Sequence, residues 1–91
     1  MRELFLYTRP GCHLCDQARL ILDALLAERR RQDLEVPVVI ERDISTNDAW
    51  ERAFLVEIPV VEIGDQRLVL VTSPARLRRF VDDALAAAVA G

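Results

Sequence analysis

The sequence has no lysine; all twelve of its basic residues are arginine. We read this as a codon bias towards GC-rich triplets, without functional content. Fifteen acidic residues outweigh the arginines, for a formal net charge of −3. A nucleic-acid binder presents a net basic face instead, so nucleic acid is excluded as a partner. Glycine and proline are scarce, at three and four residues, and no linker, repeat or low-complexity stretch divides the chain. No apolar run approaches the ~18 residues of a membrane span. The opening Leu4-Phe5-Leu6-Tyr7 is too short for a secretory signal and is followed by no small-residue cleavage site. A cytoplasmic protein without a membrane partner is therefore expected. Cysteine occurs twice and histidine once. In a reducing compartment two cysteines three positions apart do not make a static structural staple.

What is present suits one small domain over residues 1–91, 52% hydrophobic, burying a little over ~60% of its unfolded surface. Residues 3–8 are mostly apolar, as in a strand covered on both faces. Arg9-Pro10-Gly11 breaks that strand. From Cys12 the period becomes helical, with Leu14, Ala18, Ile21, Leu22, Leu25 and Leu26 on one stripe. Asp16 in the first turn and Arg29-Arg30-Arg31 near the end match the helix dipole, and the helix should stop near Gln32. The same arginines, and Arg76 with Arg78-Arg79, read as solvated helix faces.

Val36 to Ile44 reads as a second strand, with Pro37 at its start or marking a sheet edge. Ser45 or Thr46 should cap a short helix over about 46–54, burying Ala49, Trp50, Ala53 and Phe54. Trp50 is read as packing, not as a platform for a ligand. Ile58 to Ile63 and Arg67 to Val71 form two strands about the Gly64-Asp65 turn. Ser73-Pro74 opens a last helix with Leu77, Phe80, Val81, Leu85 and Val89 on its buried stripe. Helix propensity accounts for the alanine-rich end, Ala84 to Ala90. The order is β-α-β-α-β-β-α. Because a crossover helix pairs strands in parallel and a hairpin pairs them antiparallel, this is an α/β fold: a four-stranded mixed sheet flanked by three helices, on both faces.

Cys12-His13-Leu14-Cys15 falls where the first strand gives way to the first helix. Unpaired N–H groups and the dipole stabilise an anion there, and a thiolate so placed has a pKa below the ~8.5 of a free cysteine. Cys12, at the helix start, is the expected nucleophile. Cys15, one turn on, can attack the resulting mixed disulfide and close a Cys12–Cys15 disulfide. His13 either adds positive charge beside that thiolate or faces solvent. Arg9 either contributes positive potential or is a solvated loop residue.

Two segments, Tyr7-Thr8-Arg9-Pro10-Gly11-Cys12-His13-Leu14-Cys15 and Glu57-Ile58-Pro59-Val60, and the element order over essentially the whole chain, resemble the glutaredoxin-like family of the thioredoxin superfamily. The match is nearest to its small bacterial Cys-His-Leu-Cys members. The resemblance implies a thiol–disulfide oxidoreductase fold and a cis Ile58–Pro59 bond facing the cysteines, with the Ile58 backbone pairing an extended substrate. It also implies that Arg9 takes the place of a family lysine that contacts glutathione. Glutathione-binding members carry Gly-Gly and an acid before the last helix. This chain has Val71-Thr72-Ser73-Pro74-Ala75 there, leaving Thr72 and Ser73 at a helix N-terminus to receive a carboxylate.

The expected activity is exchange of electrons with protein or glutathione mixed disulfides. No cofactor is expected to be bound; glutathione is a possible co-substrate, and glutathione or a reductase the electron source. Two other readings use the same residues. Small βαββαβ carriers bind Cu(I) through a Cys-x-x-Cys between strand and helix, although they need neither the 46–54 helix nor Ile58-Pro59. A thioredoxin-fold adaptor would keep the dithiol without using it. Closed zinc sites take four ligands, and Cys12, Cys15 and His13 supply at most three, so no metal site is expected. The chain is expected to be a monomer, because no exposed apolar stripe is left over.

Overall fold

The computed structural model describes residues 2–90, with side chains described for 2–86. Leu4 and Leu6 point to one face of β1 (Glu3–Thr8) and Phe5 and Tyr7 to the other, as strand alternation requires. The chain then runs through α1 (His13–Arg31), β2 (Val38–Asp43), a single 3₁₀ turn (Ile44–Thr46) and α2 (Asp48–Phe54). β3 (Val60–Ile63), β4 (Gln66–Leu68) and α3 (Pro74–Ala90) complete it. Strands order as β2-β1-β3-β4. β1 pairs with β2 in parallel and with β3 antiparallel, and β3 pairs antiparallel with β4. This is the mixed sheet expected. Pro37 precedes the first residue of edge strand β2, where its missing N–H costs no ladder bond. Gly64 makes the β3–β4 turn at a φ of +59°, which glycine adopts freely.

The two faces of the sheet are covered unequally. α1 and α3 bury Leu22, Leu25, Leu26, Leu77 and Val81 against Leu4, Leu6, Val61 and Ile63. On the other face a smaller cluster of Tyr7, Ile44, Phe54 and Val60 sits under α2.

Four local expectations are corrected. Asn47, not Ser45 or Thr46, caps α2: its Oδ1 accepts from the Trp50 N–H at 3.1 Å. The preceding residues are instead held by Asp43, whose carboxylate accepts from the amide and hydroxyl of Ser45. Starting later, α2 turns Ala49 and Ala53 outward and leaves only Phe54 buried, with Trp50 half-buried. Arg29 is not on a solvated face. It is 7% exposed, and its Nε donates to the Glu35 carbonyl at 2.7 Å while Nη1 pairs with Asp82 at 2.5 Å, tying the end of α1 to α3. Finally, Leu14, expected on the buried stripe of α1, is exposed, as are Leu20, Leu34, Leu55, Val56 and Leu70 at scattered positions. Val89 lies outside the described side chains. No helix among the described residues is long and apolar enough to cross a membrane.

Candidate functional site

Cys12 occupies the N-cap of α1 with extended backbone (φ −94°, ψ 104°). Residues favoured at this position carry a side-chain acceptor for the first free amides, and here sulfur takes that role. Cys12 Sγ accepts from the Cys15 N–H at 3.1 Å. The loop that delivers it is short: Gly11 takes a φ of +78°, and the Cys12 N–H returns to the Arg9 carbonyl at 3.3 Å. The nineteen residues of α1 align their peptide dipoles behind this end. The two cysteine Cα atoms lie 5.2 Å apart, with the sulfurs within disulfide reach. Cys12 is half-buried, whereas Cys15 is 2% exposed.

His13 and Leu14 are exposed on the first turn, and His13 makes no side-chain hydrogen bond among the described residues. Arg9 is exposed too and lines an open cavity of about 230 Å³ on the Cys15 side of the helix tip. The same cavity is bordered by Asp43 and Glu41. Hydrogen bonds from Ser45 lower the pKa of the Asp43 carboxyl, with Arg9 adding a smaller attraction. Glu41 was missed by the sequence reading. It pairs in register with Leu6, so it lies on the side of β2 that faces α1. Thr8 Oγ1 donates to it at 2.9 Å and Arg19 Nη1 at 3.1 Å. A carboxylate at an inward register position was the available signal.

The second edge of the site is the start of β3. Tyr7 pairs with Val60, so Pro59 and the loop carrying Cys12 leave the same end of the sheet. The Ile58–Pro59 bond is cis. Of the Ile58 backbone groups, the N–H is used within the fold, donating to the Phe54 carbonyl at 3.0 Å; its carbonyl accepts no backbone bond among the described residues. The Val71 N–H donates to the Pro59 carbonyl at 3.0 Å, which carries the chain past this point into Thr72 and Ser73. Ser73 is committed to its own helix: its Oγ accepts from the Arg76 N–H at 3.2 Å and its carbonyl from the Leu77 N–H at 3.0 Å. No cluster of three or more His, Cys, Asp or Glu side chains among the described residues could hold a metal ion.

A strand–Cys-x-x-Cys–helix junction on this sheet defines a thioredoxin-fold protein with a dithiol centre. Comparison with known proteins narrows the class. The profile of the glutaredoxin-like domain (DUF836) matches residues 3–89, and the chain belongs to that family. Among solved structures it is similar to the target protein XcR50 from X. campestris, with 29% identity over 88% of this chain and 96% of that one, and a TM-score of 0.69. It is also similar to a malarial protein (15% identity, 93% and 98% coverage, TM-score 0.60). Thioredoxin 1 of Thermosipho africanus is a third likeness (16% identity, 94% and 97% coverage, TM-score 0.59). The last two show the fold alone. No curated protein matches the chain.

Proposed function

We propose that the protein is a cytoplasmic thiol–disulfide oxidoreductase acting on protein or glutathione mixed disulfides. One observation carries this reading: Cys12 Sγ rests on an amide at the tip of α1, with Cys15 Sγ in bonding reach. An N–H directed at sulfur stabilises the anion more than the thiol, and the half-buried Cys12 can meet a substrate. Its thiolate attacks one sulfur of the substrate disulfide, forming a mixed disulfide and expelling the other sulfur as a thiolate. Cys15 then loses its proton and attacks Cys12 Sγ, closing the Cys12–Cys15 disulfide and releasing the second substrate sulfur. Buried Cys15 needs a route for that proton, and the cavity it shares with Glu41 supplies an acceptor. Glutathione or a reductase dithiol restores the reduced form. The free Ile58 carbonyl suits pairing with an extended substrate. Arg9 and the Thr72–Ser73 helix start are the groups that could meet a glutathione carboxylate. The Cu(I)-carrier reading loses its architectural support, since the chain has the β-α-β-α-β-β-α order.

Single-turnover exchange with a disulfide substrate tests the roles. Cys12→Ser should abolish attack, and Cys15→Ser should accumulate a mixed disulfide visible by mass spectrometry. Full activity in Cys12→Ser would overturn the assignment.

A further inference from the structure

β2 lies at the edge of the sheet, and its outer side is unguarded. The Val38 N–H donates to the Arg2 carbonyl at 2.9 Å, so in this parallel pair Val38, Ile40 and Arg42 turn their backbone groups towards β1. Val39 and Glu41 turn theirs outward, where no strand meets them among the described residues. Such an edge is a template for another chain unless charge, proline or a bulge blocks it. The charges of β2 do not block it, because each is engaged within the fold. Glu41 is held by Thr8 and Arg19, Arg42 lies over the rings of Phe5 and Trp50, and Asp43 accepts from Ser45. Pro37 precedes the strand and still offers its carbonyl. Val38 is left 42% exposed.

Beside this edge runs an open groove of about 590 Å³ between β2 and α1, lined by Leu26, Val36 and Val39, with Asp23 and Arg30. Asp23, Leu26 and Arg30 share one stripe of α1. Asp23 meets only Arg19 of its own helix, at 3.0 Å, and Arg30 has no carboxylate partner among the described residues. A stripe with one charge of each sign about an apolar middle is self-complementary under a two-fold rotation.

The strand selects the same axis. Two copies of β2 paired antiparallel about a two-fold set one residue against itself. With Glu41 on the axis, carboxylate opposes carboxylate; with Ile40, Val38 meets Arg42 and Val39 meets Glu41. With Val39 on the axis, Val38 meets Ile40 on one face of the sheet and valine meets valine on the other. These are the apolar cross-strand pairs that stabilise a ladder. The two Val39 residues then exchange backbone bonds, and each Glu41 N–H reaches the Pro37 carbonyl of the other copy. Val39 also lines the groove, so the same rotation lays the two α1 stripes side by side, Asp23 towards Arg30. We propose that this edge is occupied by a second copy of the chain, joined antiparallel through β2 into one continuous sheet. Val39 pairs with Leu4 near the start of β1, whereas Cys12 follows its end, so the dithiols lie at opposite ends of the dimer. The inference is independent of the oxidoreductase reading.

Sedimentation equilibrium of the full chain over a wide concentration range reads the association. A dimer that dissociates at roughly micromolar concentration is expected, the weak end for specific interfaces, and it should persist in reductant. Val38→Lys, at a position the single copy exposes, should abolish it without lowering the melting temperature of the dilute protein. Asp23→Arg and Arg30→Asp should each weaken the dimer roughly tenfold, and the two changes together should restore it. Amide exchange reads the register: protection of the Val39 and Glu41 N–H groups should rise with protein concentration. A monomer at every concentration overturns the inference. So does a dimer that survives Val38→Lys, one that reductant dissolves, or one in which those two amides stay unprotected. A double charge variant no tighter than the single ones overturns it as well, since the stripes then do not face each other. Disulfide exchange should be unaltered in Val38→Lys, and its absence from the unaltered protein would overturn the oxidoreductase reading alone.

Discussion

The two faces of the sheet are built from different materials. Under α1 and α3 lies an aliphatic layer in which Leu4, Leu6, Leu22, Leu77 and Val81 are fully buried. Under α2 lies a layer of rings and charge. Arg42 stacks over Phe5 with 3.8 Å from its guanidinium to the ring centroid and over Trp50 at 4.9 Å, and Arg67 lies over Phe54 at 4.9 Å. Tyr7 meets Phe54 at 4.5 Å and Trp50 edge-on at 5.8 Å between ring centroids. The first face fixes the axis of α1 and hence the direction from which its amides meet Cys12. The second supports the turn that ends in Ile58–Pro59. One face aims the nucleophile, and the other shapes what can approach it.

The comparison breaks most sharply in the aliphatic layer. Leu22 is 0% exposed at the centre of the larger cluster, and no rearrangement of a two-helix contact refills the volume of a leucine. Leu22→Ala should cost about 2–5 kcal/mol, lowering the melting temperature by roughly ten degrees or more in a domain this size. Denaturant titration followed through the single tryptophan measures it. A loss well below 1 kcal/mol would mean that α1 is not anchored through this stripe.

That aliphatic layer was also the part legible in the sequence. A stripe at Ala18, Leu22, Leu25 and Leu26 has one physical interpretation, because the 3.6-residue period leaves those side chains on one line. The Cys-x-x-Cys between strand and helix was legible for the same reason: its chemistry depends on backbone amides that every helix start exposes. The second face was legible only in outline. Its cover, α2, was expected as a short helix, but at seven residues it is too short for a period to settle which side chains it buries. Ser45 and Thr46 read as its caps because both carry a capping hydroxyl, and nothing in the sequence showed that Asp43 holds that turn and leaves the cap to Asn47. Arg29 was misread because charge on a helix does not reveal a carbonyl and a carboxylate waiting on other elements. The left-handed backbone of Leu70 (φ +51°) could not be seen at all, since nothing in Leu68-Val69-Leu70-Val71 sets it apart from a strand that simply continues.

Arg42 sharpens the contrast at intermediate size. Its guanidinium covers the rings of Phe5 and Trp50 and donates from Nη1 to Tyr7 Oη at 2.8 Å. Arg42→Ala should cost about 1–2 kcal/mol, the sum of a partly screened cation–π contact and one hydrogen bond, with loss of packing by the side-chain stem. Arg42→Lys should recover only part of it, because an ammonium cannot lie flat on a ring while donating sideways. Full recovery by lysine would show that charge alone, and not the planar fork, holds this face.

The smallest effect tests whether the second face is polar by design of its contacts or merely tolerates a hydroxyl. Tyr7 is 3% exposed; its Oη donates to Glu62 Oε1 at 2.9 Å and accepts from Arg42. Burial raises the Tyr7 pKa above its ordinary value of 10, the hydrogen bond to Glu62 raises it further, and Arg42 opposes both. A phenol with a raised folded-state pKa favours the folded protein below pH 10, and that contribution disappears as pH rises through the folded-state value. Tyr7 is the only tyrosine, so its ionisation can be followed directly by ultraviolet absorbance. Tyr7→Phe should cost only about 0.5–1 kcal/mol near neutrality, since Glu62 keeps its pairing with Arg67 at 2.6 Å. The variant should also lose the part of the alkaline stability decline that belongs to this ring. An absorbance titration centred at or below pH 10 would show that the hydroxyl meets solvent, and that the aromatic face is open where the structure closes it.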